Sequence, residues 1–197
     1  MIVVGLTGGI GSGKTTVLKM FQDLGMDCYV SDVEAKKFMN SSKTIRRKII
    51  EAFGEDSYSS EGLNRAYLAK IVFQNPEKLN ILNSIVHPKV YTHFKKFVKK
   101  AKSAYVIYES AILFENNGYE NCDFVITVVA PVELRIQRII DRDNSTKEDI
   151  LNRMKNQFSD KEKIEKSDFI IENIDLKNTK KEVDKLHMQF LLNGVEI

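Results

Sequence analysis

Gly8-Gly9-Ile10-Gly11-Ser12-Gly13-Lys14-Thr15 decides the fold of this chain. The string matches G-x-x-x-x-G-K-[ST]. It follows the short apolar run Ile2 to Leu6 and precedes a helix-forming stretch, which is the context the pattern requires. Glycines admit backbone conformations closed to other residues and let a phosphate oxygen approach without meeting a Cβ. Successive N–H groups then form an anion nest at a helix N-terminus, where the dipole favours negative charge. In such a loop Gly8, Gly9, Ile10, Gly11, Ser12, Gly13, Lys14, Thr15 and Thr16 surround the phosphate tail of ATP. Lys14 reaches the β- and γ-phosphates, and the Thr15 hydroxyl is placed to ligate Mg²⁺.

Working outward, Ile2 to Leu6 reads as a buried parallel strand. Thr15 to Leu24 reads as a helix with Val17, Leu18, Phe21 and Leu24 on one face and Gly25 as its stop. Asp27 to Ser31 reads as a second strand that gives way to a helix at Asp32. Strand, phosphate loop, helix and strand open an α/β doubly wound domain. Residues 41–102 read as almost wholly helical, with breaks at Gly54, Gly62, Pro76 and Pro88, and so as an insertion in that core. Strand character returns at Tyr105 to Tyr108 and Phe124 to Val129. Pro131 starts a helix carrying Leu134, Arg135, Arg138 and Arg142, and Ser145 with Glu148 predicts a capping box. Phe169 to Ile171 is a last strand and Thr179 to Leu192 a closing helix. The predicted fold is α/β: a P-loop NTPase-type doubly wound parallel sheet with a helical substrate-binding insertion and a small lid. Residues 1–40, 103–135 and 165–197 are the nucleotide-binding core, 41–102 the helical domain and 136–164 the lid.

Length and composition agree with one core plus an insertion: 197 residues, 43% hydrophobic, with a formal net charge of +3. That weak positive excess suits an anionic substrate and does not argue for nucleic acid. Cys28 and Cys122 are too few and too far apart for a disulfide framework or a zinc site, so a reducing cytoplasm is expected. The N-terminus has no basic region before its apolar run and is not read as a signal peptide. No apolar stretch approaches the roughly 20 residues that span a bilayer, so no membrane partner is expected. A monomer or weak oligomer is expected.

A phosphate loop alone leaves kinase, hydrolase and switch open. Guanine-nucleotide switches normally carry D-x-x-G and N-K-x-D strings, and neither occurs here. Phosphorylating a hydroxyl benefits from a carboxylate beside the attacking oxygen. Asp32 stands at the end of the second strand, on the sheet edge that faces the ligand crevice; its competing role is a helix N-cap. Glu109 ends the run from Tyr105, where an acid holds Mg²⁺ through water, binds substrate, or makes a surface pair. Arg138 and Arg142, four apart, share one helix face suited to clamping phosphoryl charge, the alternative being a solvated basic stripe. His87 precedes Pro88, which biases it away from helical geometry. Phe94, Phe97 and Val98, among Lys95, Lys96, Lys99 and Lys100, read as the packed side of a basic amphipathic helix.

The stretch from Gly5 to Thr15 closely resembles the phosphate loop of dephospho-coenzyme A kinases, a narrower form than the general pattern. The resemblance continues through Leu63-Asn64-Arg65-Ala66-Tyr67-Leu68, then Ile71-Val72-Phe73, then Leu82 to Pro88, which are similar to the family's CoA-binding region. It extends to Glu109 through Glu115, to Arg138 and Arg142, to Arg153 with Gln157, and to Asn173, covering roughly residues 2 to 173. Val30 stands where members often have an acid, leaving Asp32 as the sole carboxylate there; Ala111 replaces a common proline, and Thr15 the commoner serine. The resemblance implies transfer of the ATP γ-phosphate to the ribose 3′-hydroxyl of dephospho-CoA, with Mg²⁺ accompanying ATP. It implies Asp32, Lys14 and Arg138 as catalytic residues. It also implies Arg142 and Asn173 at ATP, and Asp32, Arg65, His87, Glu109 and Glu115 at the substrate. Other readings are a P-loop kinase acting on a nucleoside or nucleotide, and a non-enzymatic nucleotide-dependent switch.

Overall fold

In order along the chain, the elements are β1 (Ile2–Thr7), α1 (Lys14–Asp23), β2 (Asp27–Val30), α2 (Ser31–Ser41), α3 (Lys43–Phe53), β3 (Tyr58–Ser59), β4 (Gly62–Leu63), α4 (Arg65–Val72) and α5 (Pro76–Lys100). They continue with β5 (Tyr105–Glu109), β6 (Phe124–Val129), α6 (Val132–Asp143), α7 (Lys147–Lys155), α8 (Asp160–Glu165), β7 (Phe169–Glu172) and α9 (Leu176–Asn193). These come from a computed structural model, which describes residues 1–72, 75–143 and 145–193. Phe73 and Asn144, expected in the helical insertion and the lid, and residues 194–197, expected in the core, lie outside the described residues.

The chain divides into two compact units, Met1–Val30 with Lys100–Ile197, and Ser31–Lys99. The first unit is built on a parallel sheet in the order β2-β5-β1-β6-β7. β1 is central and pairs on both sides, which is why all six of its residues are buried and why it reads as a continuous apolar run. One sheet face, carried by Ile2, Val4, Leu6, Tyr105, Ile107, Ile126, Val128 and Ile171, packs on Val17, Leu18 and Phe21 of α1 and Val183, Leu186 and Phe190 of α9. On the other face Gly5 leaves room for Leu113 and Cys122, side chains that a Cβ there would crowd at 2.8 and 3.0 Å. A smaller cluster of Ile136, Ile139 and Ile150, with Ile10, Ile140 and Met154 against it, joins α6 and α7 to the phosphate loop. No helix among the described residues is long and apolar enough to cross a membrane.

The second unit is mostly helical, but it contains the antiparallel pair β3–β4, with Tyr58 opposite Leu63 and Ser59 opposite Gly62. This amends the expectation that residues 41–102 are almost wholly helical: the break expected at Gly62 falls inside a short strand pair. Two-residue strands are too short to show a period-two alternation, so pattern reading passes over them. The pair is tied to α2: Tyr58 Oη donates to Met39 O (2.7 Å) and Leu63 N to Asn40 Oδ1 (3.2 Å). These bonds show why the second unit begins at Ser31, whereas the sequence suggested that the core runs to residue 40. A second correction concerns Pro88, expected to break a helix: α5 runs through it. Val86, Val90 and Phe94 of that helix are buried, and their packing outweighs the roughly 3 kcal/mol local cost of an interior proline. Phe94 lies on the packed side, as the amphipathic pattern predicts. The capping box expected at Ser145 and Glu148 is a third correction. Thr146 caps α7 by accepting from Asp149 N, and the capping box stands at α8 with Ser159 and Glu162.

β5 is entered through a turn fixed by one carboxylate. Asp27 Oδ2 accepts from Lys102 N (2.8 Å) and Ser103 N (3.0 Å), while Ser103 Oγ accepts from Asp27 N (3.0 Å). The Ser103 and Lys102 amides hold the Asp27 carboxyl below the usual aspartate range. Its stabilising contribution is therefore complete above the ordinary aspartate pKa of about 3.9 and is lost as pH falls through the lower folded value. Acid unfolding followed by circular dichroism should show a flatter pH dependence below about pH 4 in Asp27→Asn than in the wild-type chain; equal slopes would remove Asp27 from that role.

Candidate active site

The loop between β1 and α1 has little side chain of its own, so its shape comes from what surrounds it. Gly13 has φ 92° and immediately precedes α1. A Cβ there would be strained and would overlap Asn173 Nδ2. The Asn173 amide is 2% exposed and donates to Ser12 O at 2.9 Å, while Thr179 Oγ1 lies 3.2 Å from its Oδ1 and fixes its orientation. Lys14 Nζ donates to Gly8 O (2.8 Å) and Gly9 O (3.3 Å), so the ammonium lies over the loop it belongs to.

α6 supplies two of its arginines to the same loop. Arg138 Nη2 donates to Asn173 O at 2.9 Å. Its Nη1 is buried, has no hydrogen-bond partner among the described residues, and stands 3.8 Å from where a Gly13 Cβ would be. Arg135 is 5% exposed, and a Cβ on Gly9 would overlap its Nη2. Arg135 Nε donates to Ile10 O (2.8 Å), and Nη1 donates to both oxygens of Asp160 (2.9 and 2.7 Å). Arg142 is placed differently. It pairs with its neighbour Asp143 at 2.7 Å on an exposed surface, and that hydrogen bond raises its pKa further.

The segment after α6 is fastened at two further points. Gln157 Oε1 accepts from Ile10 N at 2.9 Å. Glu115 Oε1 accepts from Phe158 N (2.8 Å) and pairs with the fully buried Lys163 Nζ (2.7 Å), which also donates to Ala111 O (3.2 Å). Glu115, expected at the substrate, thus has intramolecular partners that join the segment after β5 to α8. Glu109 closes β5, opposite Leu6 in β1 and Val30 in β2, and is 7% exposed.

Phosphate loop, Lys14, Arg138 and Asn173 are gathered in the first unit. Asp32, Arg65 and His87 belong to the second. Asp32 is exposed in the first turn of α2, and among the described residues its carboxylate caps no backbone N–H. His87 lies in α5, where burial pushes its pKa below the usual histidine value against the opposing pull of the Asp32 carboxylate. Arg65 is exposed at the start of α4. Burial pushes both the Cys28 and Cys122 thiols up to about 12, so neither is a nucleophile at neutral pH.

The donor set suits Mg²⁺ carried in on a nucleotide. Thr15 presents a hydroxyl on the exposed first turn of α1, and among the described residues no cluster of three or more His, Cys, Asp or Glu is gathered. Mg²⁺ characteristically takes one or two protein oxygens and completes its shell with phosphates and water. Arg135 with Asp160, and Lys163 with Glu115, are site-supporting pairs that pattern reading passes over. A buried cation in a charged segment looks like solvated surface until its partner is placed beside it.

Known proteins resemble this chain in sequence and in structure. A family model described as dephospho-CoA kinase matches residues 2–178. A Bacteroides fragilis dephospho-CoA kinase is 38% identical over 173 residues, covering 87% of this chain and 84% of the relative. A solved structure from Thermus thermophilus superposes with a TM-score of 0.86 at 27% identity, over 96% of this chain and 97% of the other. A dephospho-CoA kinase from Campylobacter jejuni superposes at 0.69 and 28% identity, over 97% and 98%.

Gly13→Ala forces a side chain into both the left-handed backbone and the Asn173 amide. With strain of about 1–3 kcal/mol at such a position, the variant should bind a nucleoside triphosphate about tenfold more weakly or worse by calorimetry. Wild-type affinity would show that the loop tolerates the displacement.

Proposed function

This chain belongs to the dephospho-CoA kinase family, and from that premise we propose that it transfers the γ-phosphate of ATP to the ribose 3′-hydroxyl of dephospho-CoA, the last step of coenzyme A biosynthesis. The observation that carries the reading is the buried, unpartnered Nη1 of Arg138 beside Gly13, on the loop that also carries Lys14. A buried guanidinium donor left unpaired is costly, and a phosphate oxygen arriving over the nest supplies the missing acceptor. Lys14 then exchanges the Gly8 and Gly9 carbonyls for phosphate oxygens, as a flexible ammonium with three donors can do. Thr15, with Glu109 as a water-mediated acid, would hold the Mg²⁺ that accompanies ATP, and the ion would supply neutralisation of phosphate charge.

Asp32 is assigned the general base. An exposed carboxylate in a helix's first turn, engaged in no cap, is available to accept the proton of an incoming alcohol. His87, held neutral by burial at physiological pH, serves as a hydrogen-bonding neighbour rather than as a second charge. Arg65 is assigned to the anionic substrate. Arg142 joins the ATP side by leaving Asp143, an exposed pair that is cheap to exchange. Glu115 acts through the lid anchor rather than on the substrate. The protein would work in the cytoplasm, where its free cysteines stay reduced.

A coupled ATP assay with dephospho-CoA, with the product's mass measured, tests the activity; a panel of nucleosides and nucleotides should be poor acceptors by comparison. Asp32→Asn should lower kcat about a hundredfold or more with ATP affinity close to wild type, and unchanged turnover would remove Asp32 as the base. Arg138→Ala should cost about 3–4 kcal/mol of transition-state stabilisation, read in single-turnover chemistry; a wild-type rate there would rule out its contact with the transferring group.

A further inference from the structure

Ile10 has both of its backbone polar atoms held by side chains from outside the phosphate-loop motif: its N–H by Gln157 Oε1 at 2.9 Å and its carbonyl by Arg135 Nε at 2.8 Å. We infer that Arg135 and Gln157 are positioning residues that set the curvature of the phosphate nest, so that affinity for ATP is tuned at the base of the lid. The inference rests on the ATP-binding role proposed above and adds two residues that do not touch the reacting atoms.

Each attachment has a structural source. Asp160, the first residue of α8, is placed by the Ser159–Glu162 capping box and takes the Arg135 Nη1 on both oxygens. Gln157 lies between α7 and α8, at the other end of the same short connection. The Ile10 side chain packs on the Ile136, Ile139 and Ile150 cluster of α6 and α7, while its backbone is held from α6 and from the α7–α8 connection. The Ile10 N–H is committed to Gln157. Releasing it lets the Gly9–Gly11 stretch adopt other conformations, and the glycines on both sides offer no steric resistance.

Geometry, not charge, is the basis. The Arg135 cation is neutralised by Asp160 at 2.7 Å, and what it contributes is a planar fork that serves Ile10 O and Asp160 at once. A lysine keeps the charge but cannot make both contacts in that arrangement. Arg135→Lys is therefore a sharper probe than a neutral substitution.

ATP and dephospho-CoA affinities are measured separately by calorimetry on the full chain, together with Tm. Gln157→Ala and Arg135→Lys should each weaken ATP about five- to tenfold, the effect of one lost hydrogen bond at a constrained site. Dephospho-CoA affinity should be unchanged. The double variant should lose less than the product of the two, because both act on one residue. ATP affinity at the wild-type level in both single variants would overturn the inference. So would ATP and dephospho-CoA affinities falling in the same proportion as Tm drops, the signature of general loosening. Should Arg135→Lys fail to fold, Gln157→Ala decides alone, since it leaves the Arg135–Asp160 pair intact. A wild-type chain whose ATP affinity depends on Gln157 but which yields no phosphorylated dephospho-CoA upholds the positioning role and overturns the substrate assignment. Turnover of dephospho-CoA with ATP affinity indifferent to Gln157 does the reverse.

Discussion

A loop that must wrap an anion with bare backbone cannot hold its own shape, and this constraint organises the first unit. Glycine removes the steric restraint that would otherwise define a single conformation. The restraint is restored by hydrogen bonds to the loop's own peptide groups, from outside by Asn173 on Ser12 and by Arg135 and Gln157 on Ile10, and from within by Lys14 on Gly8. These partners come from α1, α6, the α7–α8 connection and the residue after β7. The sheet and its helices thus serve as a frame around one flexible segment. Preorganisation of this kind matters because donors already aimed at developing charge need no reorganisation when phosphoryl transfer occurs.

Cations buried near that frame divide into two kinds. Arg135 and Lys163 are nearly or fully inaccessible, and each is matched by a carboxylate at 2.7 Å. Removing one partner from such a pair typically costs about 3–5 kcal/mol because it leaves the other charge buried and uncompensated, so Arg135 depends on Asp160 and Lys163 on Glu115. Arg138 differs, because one of its nitrogens is satisfied by Asn173 O and the other is not satisfied within the described residues. The same helix therefore carries, three residues apart, one guanidinium committed to structure and one with a donor in reserve. The first is neutralised by Asp160, while the second keeps a donor that an incoming anion could use.

Much of this was legible from residue order. The glycine string fixed the position of β1 and α1 to within a residue, and the apolar runs marked β5, β6 and β7 nearly to their ends. For β5 and β6 those signals are strong because a parallel strand buried on both faces leaves little room for polar residues. What stayed hidden depends on contacts between distant residues. The β3–β4 pair is too short to carry a period. Pro88 is overruled by packing that lies along the rest of α5. Lys163 looks like one more surface lysine among many until Glu115 and Ala111 O surround it. Family likeness marks Asn173 as a nucleotide contact, and only the structure reveals that its amide also buttresses the loop's backbone at Ser12 O.

The central place of β1 bears on how the chain is made. β1 leaves the ribosome before either of the neighbours it needs, and its partners Tyr105–Glu109 and Phe124–Val129 follow about a hundred residues later. Throughout that interval an apolar segment with two open edges must wait, which is the condition under which nascent chains associate wrongly. The intervening Ser31–Lys99 unit, with its own compact interior, can fold during the wait and keep the growing chain short in space. Synthesis rate and chaperone supply, more than final stability, would then govern how much of this protein a cell recovers in usable form.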